Sequence, residues 1–170
     1  AIAEVRQNRL AVVEELLTYD TDGIELNIYD YAPFFARREI PEHTETFTRF
    51  VADVRDLCDR AAAEQNRSKR LLVRAGASLV GCTSLGIDLE RMIRGKIVDT
   101  VLAMPPHKTG RVEQHPGGVT ELVEAARGTG VKVIQGISTT VRHEAWGMAT
   151  RQMRTAQAAN GYGAGSKGVF

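Results

Sequence analysis

The sequence has few of the features that define several common classes of protein. Its 170 residues include only two cysteines, Cys58 and Cys82, too few for a disulfide scaffold or a cysteine-based metal cluster. We expect both to be reduced packing residues. The longest apolar runs are far shorter than the roughly 20 residues that span a bilayer. The net charge is only +1, so no strong electrostatic field favours a nucleic-acid or membrane partner.

Several motifs are missing as well. Residues 1–6 lack the basic start and apolar core of a signal peptide, which favours a cytoplasmic location without deciding it. No glycine-rich dinucleotide motif, P-loop or Gly-x-Ser-x-Gly nucleophile motif occurs. No His-Glu-x-x-His or other recognisable metal-ligand spacing is present. We therefore predict neither a cofactor nor a metal.

The chain does show alternating strand-like and helix-like segments. Five predicted strands start near residues 23, 70, 97, 131 and 167, and an amphipathic helix over residues 2–18 precedes them. No two-residue turn signal joins neighbouring strands into a hairpin. Alternating βα units imply a parallel sheet with helical crossovers. The helices predicted between the strands span residues 44–65, a short segment around 89–93, 120–127 and 143–160.

This alternation fits a (β/α)8 TIM-barrel or a doubly wound sheet. Long polar and aromatic loops after the strands favour the barrel. The chain opens with a helix that has no strand before it and ends within a predicted strand. We expect residues 1–170 to form a single partial barrel domain, covering about the last five βα units, with the missing strands supplied by the rest of a longer chain or by a partner chain. A complete five-stranded flavodoxin-like domain is the alternative.

Four segments, in order along the chain, resemble one family. Residues 20–27, 86–99, 128–133 and 156–170 are similar to the motifs YDxDGIELD, GLDxxxWxxxGLVD, xTGVKVY and AxANAxxAGADGVYLFN. These belong to bacterial glycoside-hydrolase-like barrel proteins, related to the family-10-like glycosyl hydrolases. The four segments are spread over nearly the whole chain, and the resemblance implies a (β/α)8 barrel that acts on carbohydrate. The sequence departs from the motifs where Asn27 replaces Asp, Met92 replaces Trp, and Ser166-Lys167 replaces Ala-Asp.

The first predicted strand carries the strongest candidate for a catalytic residue. Side chains alternate between the two faces of a strand, so Glu25, Asn27 and Tyr29 share one face, opposite three apolar side chains. In a barrel the apolar face meets the helices, which turns the polar face toward the interior or the mouth. A buried carboxylate is costly unless it is paired, so we interpret Glu25 as functional. The structural alternative is a Glu25 held by Arg74, at the end of the next strand.

Cleavage of a glycosidic bond usually needs two carboxyl groups. Glu25 is the first candidate, as acid/base or nucleophile, and Asp30, just past the strand, is the second. A carboxylate from the missing strands is equally consistent with the pattern. Aromatic side chains near this strand either stack on a sugar ring or pack on one another: Tyr29, Tyr31, Phe34 and Phe35.

Other strand ends supply further candidates for contact with a carbohydrate substrate. Asn27, Tyr29, Tyr31, Arg74, His107 and Gln135 form the predicted substrate-binding set. The sequence thus predicts a glycoside hydrolase that acts at the C-terminal mouth of a TIM barrel. Two other functions stay open: a non-catalytic carbohydrate-binding barrel, which the loss of a carboxylate at Asn27 favours, and a barrel lyase or aldolase that uses Lys132.

Overall fold

A computed structural model describes residues 2–30, 32–105, 116–138, 140–142 and 146–170, which form a mixed α/β fold. Its helices are α1 (Ile2–Thr18), α2 (Ile40–Gln65), α3 (Leu79–Thr83), α4 (Leu89–Arg94), α5 (Pro116–Ala126) and α6 (Arg151–Gly163), and a short 3-10 helix spans Arg37–Glu39. Its strands are β1 (Gly23–Asn27), β2 (Arg70–Gly76), β3 (Thr100–Met104), β4 (Lys132–Gln135), β5 (Thr140–Arg142) and β6 (Trp146–Met148).

The main sheet is parallel, and its strands follow one another in sequence order, β1-β2-β3-β4. Residues 167–170 continue the sheet beyond β4. There the backbone N–H of Gln135 donates to the carbonyl of Gly168 at 3.0 Å, and the N–H of Phe170 donates to the carbonyl of Gln135 at 2.8 Å. The predicted fifth strand is therefore confirmed as a short parallel segment beside β4.

One face of this sheet packs against the helices. Alternate residues of the strands, including Leu71, Val73 and Val101, are fully buried and belong to one hydrophobic core with residues of α2 and α5, such as Val51 and Leu122. The intervening strand residues are not part of that core. Among the described residues, this second face of the sheet, which we call the open face, carries Glu25, Leu72, Arg74, Leu102, Met104 and Ile134.

The strand order bears on the architecture. A doubly wound sheet reverses its strand order at a switch point. The described sheet has no such reversal, since each strand lies beside its sequence neighbours. The α/β class and the parallel sheet are confirmed, whereas four strands with a short fifth segment do not show a closed barrel. No helix in the described part of the chain is long and apolar enough to cross a membrane.

For the region after β4, the sequence predicted one helix over residues 143–160 and no hairpin. The structure differs from this prediction. Strands β5 and β6 pair antiparallel, and α6 begins only at Arg151. The side chain of Thr150 accepts a hydrogen bond from the N–H of Met153 at 3.2 Å, which caps the first turn at this later start. The prediction was wrong because β5 and β6 are only three residues long and are joined by more than two residues. No two-residue turn motif therefore marks this strand pair in the sequence. Residues 143–145, the predicted helix start, lie outside the described residues.

Two helices also begin earlier than predicted. Helix α2 starts at Ile40 and α5 at Pro116, four residues before each expected start. In both, a proline lies at the very start of the helix, where its missing N–H costs nothing because the first-turn N–H groups have no intrahelical partner. The loop between β2 and α4 also contains α3, a helix that the sequence did not predict. Its N-cap Ser78 accepts a hydrogen bond from the N–H of Gly81 at 3.2 Å.

Candidate functional site

Glu25 and Arg74 form an ion pair on the open face. Nη2 of Arg74 lies 2.7 Å from Oε1 of Glu25. The Arg74 side chain is 23% exposed and the Glu25 side chain is 33% exposed. In the parallel register Asn27 lies opposite Arg74 and Glu25 lies opposite Leu72, so the guanidinium reaches back along the strands to meet the carboxylate. The structure confirms that Glu25 lies on the face of β1 opposite its apolar side chains. It also confirms Arg74 as the structural partner of Glu25. A catalytic role for Glu25 stays a prediction.

Phe170 adds a second contact to Arg74. The guanidinium carbon of Arg74 lies 4.7 Å from the centre of the Phe170 ring, in the range of a cation–π interaction. Arg74 is therefore held between a carboxylate and an aromatic ring. Sequence reasoning missed Phe170 as a site residue. The alternation of side chains along residues 168–170 was the available signal, but it needs the pairing with β4 to show which face Phe170 occupies.

Two glycines lie next to side chains of the open face. A Cβ atom at Gly136 would come within 2.5 Å of Sδ of Met104, so the Met104 side chain already fills that position. A Cβ atom at Gly168 would lie 3.9 Å from Cγ1 and Cγ2 of Ile134, on the open face.

Asn27 shapes the turn that follows β1. Its side-chain amide donates to Oδ2 of Asp30 at 2.6 Å, and its Oδ1 accepts the backbone N–H of Tyr29 at 3.2 Å. The second bond is the pattern of an Asx turn. A deprotonated aspartate at position 27 could not donate to Asp30, and the two carboxylates would repel each other. The departure from the family motif at Asn27 thus has a local structural role, and it brings Asp30 next to the end of β1.

Gln135, another predicted site residue, is not brought together with Glu25 and Arg74. Gln135 lies on the helix-covered face, 3% exposed, where its side-chain amide donates to the carbonyl of Gln157 at 3.3 Å. Its place at a strand end suggested the mouth, but the β3–β4 register pairs it with the core residue Ala103. Tyr31 and His107 lie outside the described residues.

The aromatic loop after β1 packs against α2. The ring of Phe34 stacks on Phe47 with centroids 5.0 Å apart, and Phe35 contacts the ring of His43 at the same distance. The packing interpretation of these two rings is therefore supported, although the partners come from α2 and not from the loop itself. Phe34 keeps 40% of its surface exposed.

Other features of the described residues lie away from this pair. Lys132, the lysine of the lyase alternative, is exposed at the start of β4, at the opposite end of the sheet from the turn after β1. No group of three or more His, Cys, Asp or Glu side chains in the described residues could hold a metal ion. A groove of about 510 Å³ lies between α1 and α2, where Leu10 and Leu57 contribute to its lining, and it contains none of the candidate residues.

Comparison with known proteins adds no relative, since neither a protein-family model nor a curated protein matches the chain. The resemblance to glycoside-hydrolase-like barrels therefore stays a prediction from its motifs.

Proposed function

We propose that the chain is part of a (β/α)8 barrel of glycoside-hydrolase type, with Glu25 as nucleophile or general base. The observation that carries this proposal is the position of the Glu25 carboxylate. It lies on the face of a parallel sheet that the described helices do not cover, next to Arg74 and two residues before the C-terminal end of β1. Catalytic groups of parallel barrels lie at the C-terminal ends of their strands.

The open face supports the barrel. Leu72, Leu102 and Ile134 are apolar, occupy neighbouring strands of this face and lie outside the core shared with the helices. Leu102 is 3% exposed, whereas Leu72 and Ile134 are only partly buried, and apolar surface left in water is costly. Closure of the sheet into a barrel would place these side chains in the barrel interior, where layers of branched apolar residues are the rule.

The outer face of α1 supports the same closure. Helix α1 buries Val13 and Leu17 against the core. Three of its apolar residues, and the tyrosine just after its end, are nevertheless exposed at spacings of 7, 4 and 3 along one stripe. In a barrel a helix has a neighbour on each side, and α2 provides only one of the two. We propose that the rest of a longer chain, or a partner chain, supplies the other helix and its strand. The exposed residues are Val5, Val12, Leu16 and Tyr19.

The contacts of Glu25 indicate its chemical role. Its carboxylate forms an ion pair with Arg74, an arrangement suited to attack on a sugar carbon or to removal of a proton from water. The reaction also needs a carboxylic acid to protonate the leaving oxygen. Asp30 is the candidate on this chain, and a carboxyl group from the missing strands is the alternative.

The direct test is the Glu25→Gln variant, assayed on a panel of 4-nitrophenyl glycosides and unmodified oligosaccharides. Glu25→Gln keeps the size of the side chain and is expected to lower kcat by about 100- to 10,000-fold, the range for loss of an acid–base group. Glu45→Gln is the matched control, because Glu45 is also paired with an arginine, Arg91, but lies on α2 in the helix layer. Full activity of Glu25→Gln would exclude the proposed role.

A non-catalytic carbohydrate-binding barrel is the second candidate. The observation that favours it is the hydrogen bond between Asn27 and Asp30, which engages the second carboxylate in the turn after β1. Titration calorimetry with oligosaccharides, followed by chromatography of the same samples, separates the two functions. Binding without any cleavage product would favour this candidate over the hydrolase.

A further inference from the structure

We infer that Arg74 and Phe170 form a positioning clamp for the Glu25 carboxylate, and that Arg74 acts through Glu25 and not as a ligand of the sugar. This inference changes the role predicted for Arg74 and assigns a role to Phe170. Its consequence for turnover rests on the proposed function of Glu25, whereas the clamp itself is a property of the three side chains.

The first observation is that Arg74 is engaged from two directions. One terminal nitrogen contacts Glu25 at 2.7 Å, and the guanidinium carbon lies 4.7 Å from the centre of the Phe170 ring. An isolated, partly exposed ion pair leaves two long side chains mobile and is worth little. The aromatic ring limits the rotamers that Arg74 can adopt while keeping its contact with Glu25.

The second observation concerns Phe170 itself. Its side chain is 54% exposed, so burial in a core does not account for the position of its ring over Arg74. The contact with Arg74 is the ring contact that the structure shows for Phe170.

The third observation is the state of the Arg74 donors. Nε of Arg74 is buried and has no hydrogen-bond partner among the described residues. This nitrogen is therefore not available to a sugar hydroxyl. The contact shown for the terminal nitrogens of Arg74 is the ion pair with Glu25, which is the arrangement of a residue that orients a neighbouring carboxylate.

The clamp can be tested without substrate by nitrogen-15 NMR of the arginine side chains. Rotation of the Arg74 guanidinium about its Cζ–Nε bond should be hindered in the unmodified protein. Phe170→Leu should speed this rotation by about two- to fivefold, the loss expected for one exposed cation–π contact, and Glu25→Gln should speed it as well. Tyr162→Leu is the matched control, since Tyr162 is 57% exposed on α6. Unchanged rotation in Phe170→Leu would overturn the clamp.

Kinetics test how the clamp acts. Arg74→Gln is expected to lower kcat by up to about 100-fold with little change in KM, because a misplaced carboxylate impairs the chemical step and not sugar binding. Arg74→Lys, which keeps the charge, should recover part of that loss, and Phe170→Leu should show a smaller fall in kcat. A rise in KM at constant kcat would make Arg74 a substrate ligand and overturn the inference. If no glycoside is turned over, the proposed function fails, while the NMR measurement still decides whether the clamp exists.

Discussion

Arg55 of α2 and Asp99, the residue before β3, are joined by an ion pair of 2.7 Å. The same carboxylate oxygen of Asp99 accepts the backbone N–H of Leu71 at 2.7 Å, and Arg55 also donates to the carbonyl of Lys69 at 2.8 Å. These bonds tie α2 to two strands at the N-terminal ends of the sheet. Asp99 closes one of the segments that resemble the barrel family, and its contacts here are structural.

The first prediction concerns Asp99. Asp99→Ala is expected to lower the free energy of unfolding by about 1–3 kcal/mol, because the N–H of Leu71 and the Arg55 guanidinium both lose an acceptor. Asp59→Ala is the control, since Asp59 also contacts Arg55 at 2.7 Å but is 65% exposed, and exposed pairs are worth at most about 1 kcal/mol. Urea denaturation of both variants measures the difference. Equal losses would contradict the role of Asp99.

Two adjacent leucines test the orientation of α1. Leu17 is 2% exposed in the core, whereas Leu16 is 44% exposed. Leu17→Ala is expected to cost about 2–5 kcal/mol, the range for a buried leucine that leaves a cavity. Leu16→Ala should change stability by no more than about 0.5 kcal/mol. Thermal and urea unfolding of the two variants would refute this orientation if Leu16→Ala proved the more damaging.

Two glycines of α6 test its packing on β4. A Cβ atom at Gly161 would lie 2.6 Å from Oε1 of Gln135, whereas a Cβ atom at Gly163 would meet nothing within 4 Å. Gly161→Ala is expected to destabilise the protein by about 1–3 kcal/mol through this overlap with a buried side chain. Gly163→Ala should leave stability unchanged or raise it by up to about 1 kcal/mol, since alanine favours a helix. Denaturant midpoints that fall equally in both variants would argue against close packing of α6.

Cys82 gives a prediction about alkaline pH. Burial raises the pKa of its thiol to about 11 from an ordinary value of 9.0. Between these two pH values the unfolded chain has lost a proton that the folded chain retains. The stability contributed by Cys82 is therefore complete below about pH 9 and is lost as the pH rises toward about 11.

The measurement is urea unfolding at several pH values from about 8 to about 11, for the unmodified protein and for Cys82→Ala. Lysine and tyrosine titrations contribute to both proteins and cancel in the comparison. The unmodified protein should lose stability more steeply with pH than Cys82→Ala. Parallel pH profiles would show that Cys82 does not contribute in this range.

Part of the candidate site could be predicted from local pattern. Alternation along residues 23–29 predicted that Glu25 and Asn27 share a face opposite the apolar residues, and Arg74 was foreseen as the structural partner of Glu25. Gln135 and Phe170 could not be placed in the same way. Their faces depend on the register between β4 and its two neighbours, which brings together residues more than 30 positions apart.

The sequence by itself determined the βα alternation, the parallel sheet and the polar face of β1, because apolar periodicity is a local property that each helix or strand needs in order to bury one side. Only the tertiary structure decided that β5 and β6 pair, that Gln135 faces the helices, and that Arg74 lies between Glu25 and Phe170. Each of these depends on backbone pairing between separate segments, which the period of a single segment does not encode.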